Sequence, residues 1–426
     1  MREPVSGPLD IAVIGAGAAG LTAAHVLQRR HRVTLFERDP RPGGHVRTVT
    51  IPSGPDAGTP VDTGFIVFND GNYPLFNRLL DQLDVEARYS DMSFSYHSEE
   101  SGLQYAGTGL DGLFAQRRNA LRPGYWKLVR GILRFCDEAR RRLVAGEIGD
   151  CTLNEFLHSS GFDGAVADDY VLPLAAAIWS APRDDIRSFP AESLLRFFDN
   201  HGLLRIRERP QWKTIVGGSK TYVRKLVDGF EGEIETGHEV RGVRRADDGI
   251  QLRQADGTVR RMDRVVIAAH ADEALALLED PRPDEAEMLG AWHYNASDAR
   301  LHTDATLMPP NRRAWASWNY RRSVSSGDEA PVVVTYHMNR LQGLRTETEY
   351  FVSLNAEPAP DETRTIAEIP YTHPCFTRAA LATQKRIAEL NGTDNTYYCG
   401  SYLGYGFHED AVRSGASVGK HFGIEL

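Results

Sequence analysis

Asp10-Ile-Ala-Val-Ile14 is an apolar run behind one acid, and Gly15-Ala16-Gly17-Ala18-Ala19-Gly20 follows it without a spacer. Leu21 to Arg30 contains no proline or glycine and suits a helix; Arg32-Val-Thr-Leu-Phe36 is a second apolar run, ending at Glu37. Strand, glycine turn, helix, strand and acid stand in the order a dinucleotide site requires. Gly15 permits the tight turn, Gly17 lets a pyrophosphate approach the backbone, and Gly20 lets the helix pack closely on the strand. The segment Gly15–Gly20, with Ala16, Ala18 and Ala19 included, is thus the predicted phosphate cradle, and the helix N-terminus offers it free N–H groups and partial positive charge. Glu37, seventeen residues past Gly20, can accept hydrogen bonds from both hydroxyls of an unphosphorylated adenosine ribose. The cofactor read from these residues is FAD or NAD rather than NADP.

The residues that follow separate the two. Glu37-Arg38-Asp39-Pro-Arg41-Pro-Gly43-Gly44-His45-Val-Arg47-Thr48 resembles the ExxxRxGGxxxT segment of glutathione-reductase-like flavoproteins of the amine oxidase and phytoene desaturase type. That resemblance implies FAD, with Arg38, Gly43, Gly44 and His45 among its contacts and the Gly-Gly turn beside the pyrophosphate. Ile215-Val-Gly217-Gly218 through Val240 is similar to a later stretch of the same superfamily, in which a valine backbone meets the adenine; here that residue is Val240. Thr396-Tyr-Tyr-Cys-Gly400 and Gly406-Phe407-His408-Glu409-Asp410-Ala411 resemble its C-terminal part. By that likeness Gly400 meets the ribityl chain, and Gly406, Phe407, Asp410 and Ala411 open a terminal helix whose amides face the flavin ring and stabilise its anionic reduced form.

The fold implied is α/β (α+β overall), a Rossmann-like FAD-binding domain of glutathione-reductase type with an interleaved substrate domain. Residues 1–75, 205–275 and 385–426 are assigned to the flavin domain, and 76–204 and 276–384 to the substrate domain. More narrowly, Pro60-Val-Asp62-Thr-Gly64, Leu301-His302-Thr-Asp304, Trp315-Ala-Ser-Trp318-Asn-Tyr320 and Gly406-Phe-His-Glu-Asp410 resemble flavoproteins similar to the N-terminal half of plant cyclopropane-fatty-acid synthases. That likeness implies an apolar, fatty-acyl substrate and a cyclopropane-fatty-acid-synthase-like methyltransferase as a partner.

Three kinds of side chain are candidates for work beside the flavin. His373, His408 and Glu409 are the predicted acid–base residues, since histidine titrates near neutral pH. Trp318, Tyr320, Phe376 and Tyr405 are predicted to line an apolar substrate cavity. Amine oxidases of this fold place a lysine by flavin N5, yet no lysine occurs between Lys225 and Lys385, which counts against amine oxidation. Their pair of caging aromatics has counterparts in Phe407 and Phe376. Cys375, adjacent to Phe376, invites a covalent flavin link, but a buried free thiol is the commoner fate of cysteine, and noncovalent FAD is expected. The leading expectation is therefore an FAD-dependent oxidoreductase that dehydrogenates or isomerises a fatty-acyl chain. The alternatives are a flavin amine oxidase and a non-redox flavin-binding accessory protein of a lipid methyltransferase.

Composition sets the remaining bounds. The 426 residues carry 49 basic and 58 acidic side chains, a net charge of −9 that argues against nucleic acid as a partner. No apolar run approaches the roughly 20 residues needed to span a bilayer, and no secretory leader is evident. The four cysteines form no CxxC pair and the histidines no HExxH or HxH pair, so no metal is expected and a cytoplasmic location is. Against the acidic background, Arg117 to Leu143 holds nine basic residues and two acids. Trp126, Val129, Ile132, Leu133, Cys136, Ala139 and Leu143 recur there at helical spacing. The segment reads either as a core-packed helix with a solvated arginine face or as a peripheral membrane contact.

Overall fold

The computed structural model describes residues 7–205, 209–247, 249–324, 327 and 329–426. The opening motif folds as strand Asp10–Ile14, helix Ala18–Leu27 and strand Arg32–Glu37. The strand is apolar without alternation because Ile11, Ala12 and Val13 are all fully buried, as the middle of a parallel sheet demands. Each isoleucine or valine so covered contributes about 1.5–3 kcal/mol relative to exposure. The sheet is five-stranded, in the order Glu233–Thr236, Arg32–Glu37, Asp10–Ile14, Arg264–Ile267, Thr396–Tyr398. Every pairing is parallel, with Ile14 opposite both Phe36 and Ile267. Strands from the start, middle and end of the chain thus align their C-terminal ends along one edge, where ligands of open α/β sheets bind.

The terminal helix His408–His421 lies across the first helix. A Cβ on Gly415 would stand 2.2 Å from the Ala19 carbonyl oxygen, and one on Gly419 2.3 Å from a methyl of Val26. Only glycine allows so close an approach, so the last helix is locked against the one that begins the phosphate cradle.

A second, seven-stranded sheet runs Thr365–Pro374, Tyr294–His302, Phe351–Leu354, Val333–His337, Trp318–Arg322, Phe94–Ser98, Gln104–Ala106. Its pairings are antiparallel except that of Trp318–Arg322 with Phe94–Ser98. Helix Leu172–Trp179 packs on strand Trp318–Arg322, and helices Pro123–Ala145 and Ala191–Asn200 pack on each other. A three-stranded meander, Val240–Ala246, Gly249–Gln254 and Val259–Met262, completes the larger elements.

Helix Pro123–Ala145 corrects the expected apolar stripe. Tyr125, Leu128, Phe135, Cys136 and Ala139 are buried, whereas Trp126 and Leu133 are exposed. Two apolar stripes overlap in this segment, and packing buries the one carrying Tyr125, Leu128 and Phe135. Among the described residues no helix is long and apolar enough to cross a membrane.

Candidate functional site

At the edge of the parallel sheet the glycines divide their labour as the sequence implies. A Cβ on Gly15 would meet the Ala268 carbonyl oxygen at 2.7 Å, and one on Gly20 would meet the Gly15 carbonyl oxygen at 1.9 Å. A Cβ on Gly17 would have nothing within 4 Å, so the space above the helix N-terminus is open. That N-terminus has no side-chain cap and no acid in its first turn, which leaves N–H groups of the first turn for an anion. Gly43 and Gly44 close the far side: both have positive φ, and the Gly43 N–H donates to the Ala16 carbonyl at 2.7 Å.

Glu37 is held before any ligand arrives. One carboxylate oxygen accepts the Ala16 N–H at 2.7 Å and the other the Asp39 N–H at 2.9 Å. A carboxylate has about four acceptor positions, so two ribose hydroxyls can still be bonded. Arg38 turns outward to an ion pair with Glu273 at 2.8 Å. Val240 opens its strand at a register shift against the neighbouring strand, which takes its backbone out of the regular ladder. The open cradle, the pinned acid and the displaced Val240 backbone fit the pyrophosphate, ribose and adenine of FAD.

Beside the Gly43-Gly44 turn stands a cluster that the sequence names only in part. His45 stacks on Tyr371 (5.1 Å between ring centroids) and meets His373 and His270 at 5.7 and 5.9 Å. His270 in turn stacks on Tyr294 at 4.3 Å. His45 Nε2 donates to the Thr372 carbonyl at 3.0 Å, and Tyr371 shares a 2.9 Å hydrogen bond with Thr63. Burial pushes His45 down to about 4 and His373 down to about 3, so both imidazoles are neutral at pH 7. His373 Nδ1 is buried with no hydrogen-bond partner among the described residues. A buried polar atom of this kind costs stability unless a ligand meets it, which makes His373 the best placed of the predicted acid–base residues.

The other two have different employment. His408 stacks on Phe65 at 3.7 Å, with its Nε2 2.7 Å from the Tyr222 hydroxyl, and burial drives it down to about 3. Glu409 accepts the Leu75 and Phe76 N–H groups at 3.1 and 2.9 Å, capping helix Pro74–Gln82. Both anchor the terminal helix, and the expected acid–base role passes from them. Asp410 accepts the Tyr405 and Phe407 N–H groups at 2.9 and 3.0 Å and pairs with Arg413, which shapes the Gly404–Phe407 turn. With Glu409 and Asp410 in its first turn, this helix offers an anionic flavin less positive charge than its dipole alone would. Ala411 and Gly400 are held in the same corner; the Gly400 N–H donates to the Ser414 hydroxyl at 2.9 Å.

Phe376, Tyr405 and Phe407 come together around that turn. Phe407 stacks on Phe197 (4.7 Å) and lies edge-on to Trp179 (6.2 Å), Phe197 touches Tyr405 (5.6 Å), and Phe376 meets Phe189 (5.9 Å). Gly406 joins the two halves, since a Cβ there would lie 2.9 Å from the Phe376 ring. Trp318 and Tyr320 belong to a different group, packed on Tyr336 (4.9 Å) and Tyr96 (5.9 Å) in the seven-stranded sheet. Cys375 is half-buried, and burial raises its thiol above the ordinary range, which disfavours the nucleophilic thiolate.

Sequence reasoning missed Tyr371, Tyr294, Trp179, Phe197 and Asp62. Tyr371 was within reach, because it alternates with His373 on one strand and so shares its face. Asp62 is fully buried and accepts from the Ser219 N–H and hydroxyl, the Thr48 hydroxyl and the Gln342 amide. It ties strand Pro60–Asp62 to the start of helix Lys220–Asp228 and to Gln342, and burial pushes it up to about 6.

Comparison with known proteins follows the same lines. The family model for flavin-containing amine oxidoreductases matches residues 18–313. The chain is 25% identical over 340 residues to a protein described as flavin-containing monoamine oxidase AofH of Mycobacterium tuberculosis, covering 78% of this chain and 71% of that one. Among solved structures, a CLA-producing fatty acid isomerase from P. acnes superimposes with a TM-score of 0.70 at 17% identity, over 98% of this chain and 100% of the other. A putrescine oxidase bound to putrescine does so with a TM-score of 0.69 at 15% identity, over 97% and 99%. At such identities the likeness is one of fold. The narrower resemblance to the cyclopropane-fatty-acid-synthase-related flavoproteins receives no support from these matches.

Proposed function

The chain belongs to the flavin-containing amine oxidoreductases and is an FAD-dependent oxidoreductase, and from that premise we propose that it dehydrogenates or isomerises a fatty-acyl chain. The observation that supports the substrate class is the apolar cluster of Trp179, Phe189, Phe197, Phe376 and Phe407, which would offer an alkyl chain contact area. The absence of lysine between Lys225 and Lys385 points the same way.

When bound, FAD supplies the hydride acceptor. A hydride acceptor of that kind would serve either the removal of two hydrogens from neighbouring carbons or the displacement of a double bond along the chain. The residues of the chain hold this arrangement. Gly15–Gly20 and Glu37 would bind the pyrophosphate and ribose, and the Gly43-Gly44 turn would cover them. The aromatic cluster would exclude water from the reacting carbons. His373, neutral at pH 7 and with Nδ1 unpaired, offers one uncharged hydrogen bond inside the site without bringing in a solvated ion. Cys375, its thiol raised by burial, stays a thiol, and the flavin is held noncovalently.

Incubation of flavin-loaded protein with unsaturated fatty acids, followed by chromatography of the products, tests this reading. New or displaced double bonds are expected, and unchanged acids would refute it. Similarity to AofH over most of the chain favours a second reading, oxidation of a monoamine. Peroxide release from benzylamine, with no turnover of acyl chains, would select that reading instead.

A further inference from the structure

The basic helix Pro123–Ala145 differs electrically between its two ends. At the C-terminal end the arginines are answered: Arg140 pairs with Asp199 at 3.0 Å, and Arg141 and Arg142 with Glu138 at 2.9 and 2.7 Å. At the N-terminal end Arg118, Arg122, Lys127 and Arg130 have no ion pair among the described residues. Exposed apolar side chains cluster at the same end, although Leu133 and Val144 are also exposed farther along the helix. Leu110 is 77% exposed, Leu121 87% and Trp126 38%.

These groups form one tip. Trp126 Nε1 donates to the Ala120 carbonyl at 2.9 Å, which satisfies the indole N–H inside the protein and fastens the ring to the loop bearing Leu121. The Trp126 ring lies 5.3 Å from Phe114, and Arg117 reaches back to the Phe114 carbonyl at 2.9 Å and to Asp111. Arg313, from a distant part of the chain, acts electrostatically on Asp111 and so adds its charge to the same surface. The result is a cationic surface with exposed apolar side chains on a chain whose net charge is −9.

We propose that this tip docks the protein on the anionic surface of a lipid bilayer. Leu110, Leu121 and Trp126 enter the boundary between headgroups and acyl chains, and Arg118, Arg122 and Lys127 pair with headgroup phosphates. An interfacial protein element needs both parts: burying the apolar side chains gives adhesion, and each cation near an anionic leaflet strengthens it. A nucleic acid would use the cations and leave the leucines in water. A second copy of the chain would bring the same unpaired cations against one another. Neither accounts for both features. The contact narrows the segment 117–143 to its N-terminal end, because the body of the helix buries Phe135, Cys136 and Ala139 in the core. It stands independently of the redox reading.

The test is co-sedimentation of the flavin-loaded protein with vesicles of phosphatidylcholine alone and of phosphatidylcholine mixed with phosphatidylglycerol, at low and high salt. Binding is expected only to the anionic vesicles and is expected to weaken with salt, as charge screening requires. Arg118→Gln with Arg122→Gln should weaken it by about fivefold per arginine. Leu121→Ser with Trp126→Ser should weaken it too, and should abolish the blue shift of tryptophan emission on binding. Arg140→Gln with Arg141→Gln, at the answered end of the helix, should leave binding unchanged. All these positions are exposed, and thermal melts check that each variant folds. No sedimentation at low salt would overturn the proposal, as would equal binding by all variants. Tighter binding to duplex DNA than to anionic vesicles, or a dimer dissolved by Leu121→Ser, would overturn it in favour of those partners.

Discussion

The same substitution at two glycines of one motif should fail in opposite ways. Gly17 has φ −73° and ψ −177°, extended backbone open to any residue, and a Cβ there would meet no atom within 4 Å. Gly17→Ala should therefore fold as well as the parent, with stability unchanged or raised by about 0.4–1 kcal/mol through reduced freedom of the unfolded chain. The added methyl points into the space above the helix N-terminus, where the pyrophosphate must approach. Losing one charge-assisted hydrogen bond from the cradle costs about 1.5–3 kcal/mol, or about 10- to 150-fold in the Kd for FAD. At Gly20 the methyl would sit 1.9 Å from the Gly15 carbonyl oxygen, a backbone atom that cannot rotate away. Gly20→Ala should thus destabilise the fold itself by about 3 kcal/mol, the upper range for overpacking. Thermal melting of the flavin-free proteins separates stability from binding, and titration with FAD followed by flavin fluorescence gives the Kd. A Gly17→Ala protein that binds FAD like the parent, or a Gly20→Ala protein that melts like it, would refute the division of roles.

Asp62→Ala leaves the Ser219 and Gln342 donors buried without an acceptor, and at about 1–3 kcal/mol for each it should cost at least about 2 kcal/mol, measurable by urea unfolding. The histidines set a pH dependence: His45, His373 and His408 stay neutral down to about 4, 3 and 3, whereas in the unfolded chain they protonate near 6.5. Their contribution is full above about pH 6.5 and is lost as pH falls to about 4 for His45 and about 3 for His373 and His408, with a slope approaching about 1.36 kcal/mol per pH unit for each. His408→Gln should flatten the melting-temperature profile between those limits, and an unchanged profile would count against the burial assigned to His408. Flavin should be fully extractable into the supernatant after heat denaturation from the parent and from Cys375→Ser alike. Phe407→Ala should raise KM for long acyl substrates more than for short ones, by about tenfold if one ring's worth of apolar contact is lost.

The sequence revealed what is local. Strand, glycine turn, helix and acid occupy residues 10–37, and each residue's task follows from its immediate neighbours, so the cradle could be placed before any tertiary contact was known. The parts that depend on distant pairings were hidden. His45 meets Tyr371 and His373 only because strand Thr365–Pro374 returns beside the Gly43-Gly44 turn, more than three hundred residues later. Trp179 and Phe197 reach Phe407 through two helices whose apolar faces look like any core-facing face. Glu409 shows the converse: its residue type and place beside the terminal turn invited acid–base chemistry, yet its carboxylate satisfies the Leu75 and Phe76 N–H groups of another helix. A buried acid with two backbone donors is indistinguishable in sequence from one that faces a substrate. The helix Pro123–Ala145 was legible as a helix, but two apolar stripes compete along it, and packing settles which is buried.

The central claim is that the bound flavin takes hydride from an acyl chain. It is tested most directly by mixing flavin-loaded protein anaerobically with an unsaturated fatty acid, and separately with benzylamine or putrescine, while following the visible flavin absorbance. Loss of absorbance with the fatty acid, lasting for dehydrogenation and transient for isomerisation, and none with either amine is the predicted result. Loss of absorbance with an amine and none with any acyl chain would contradict it.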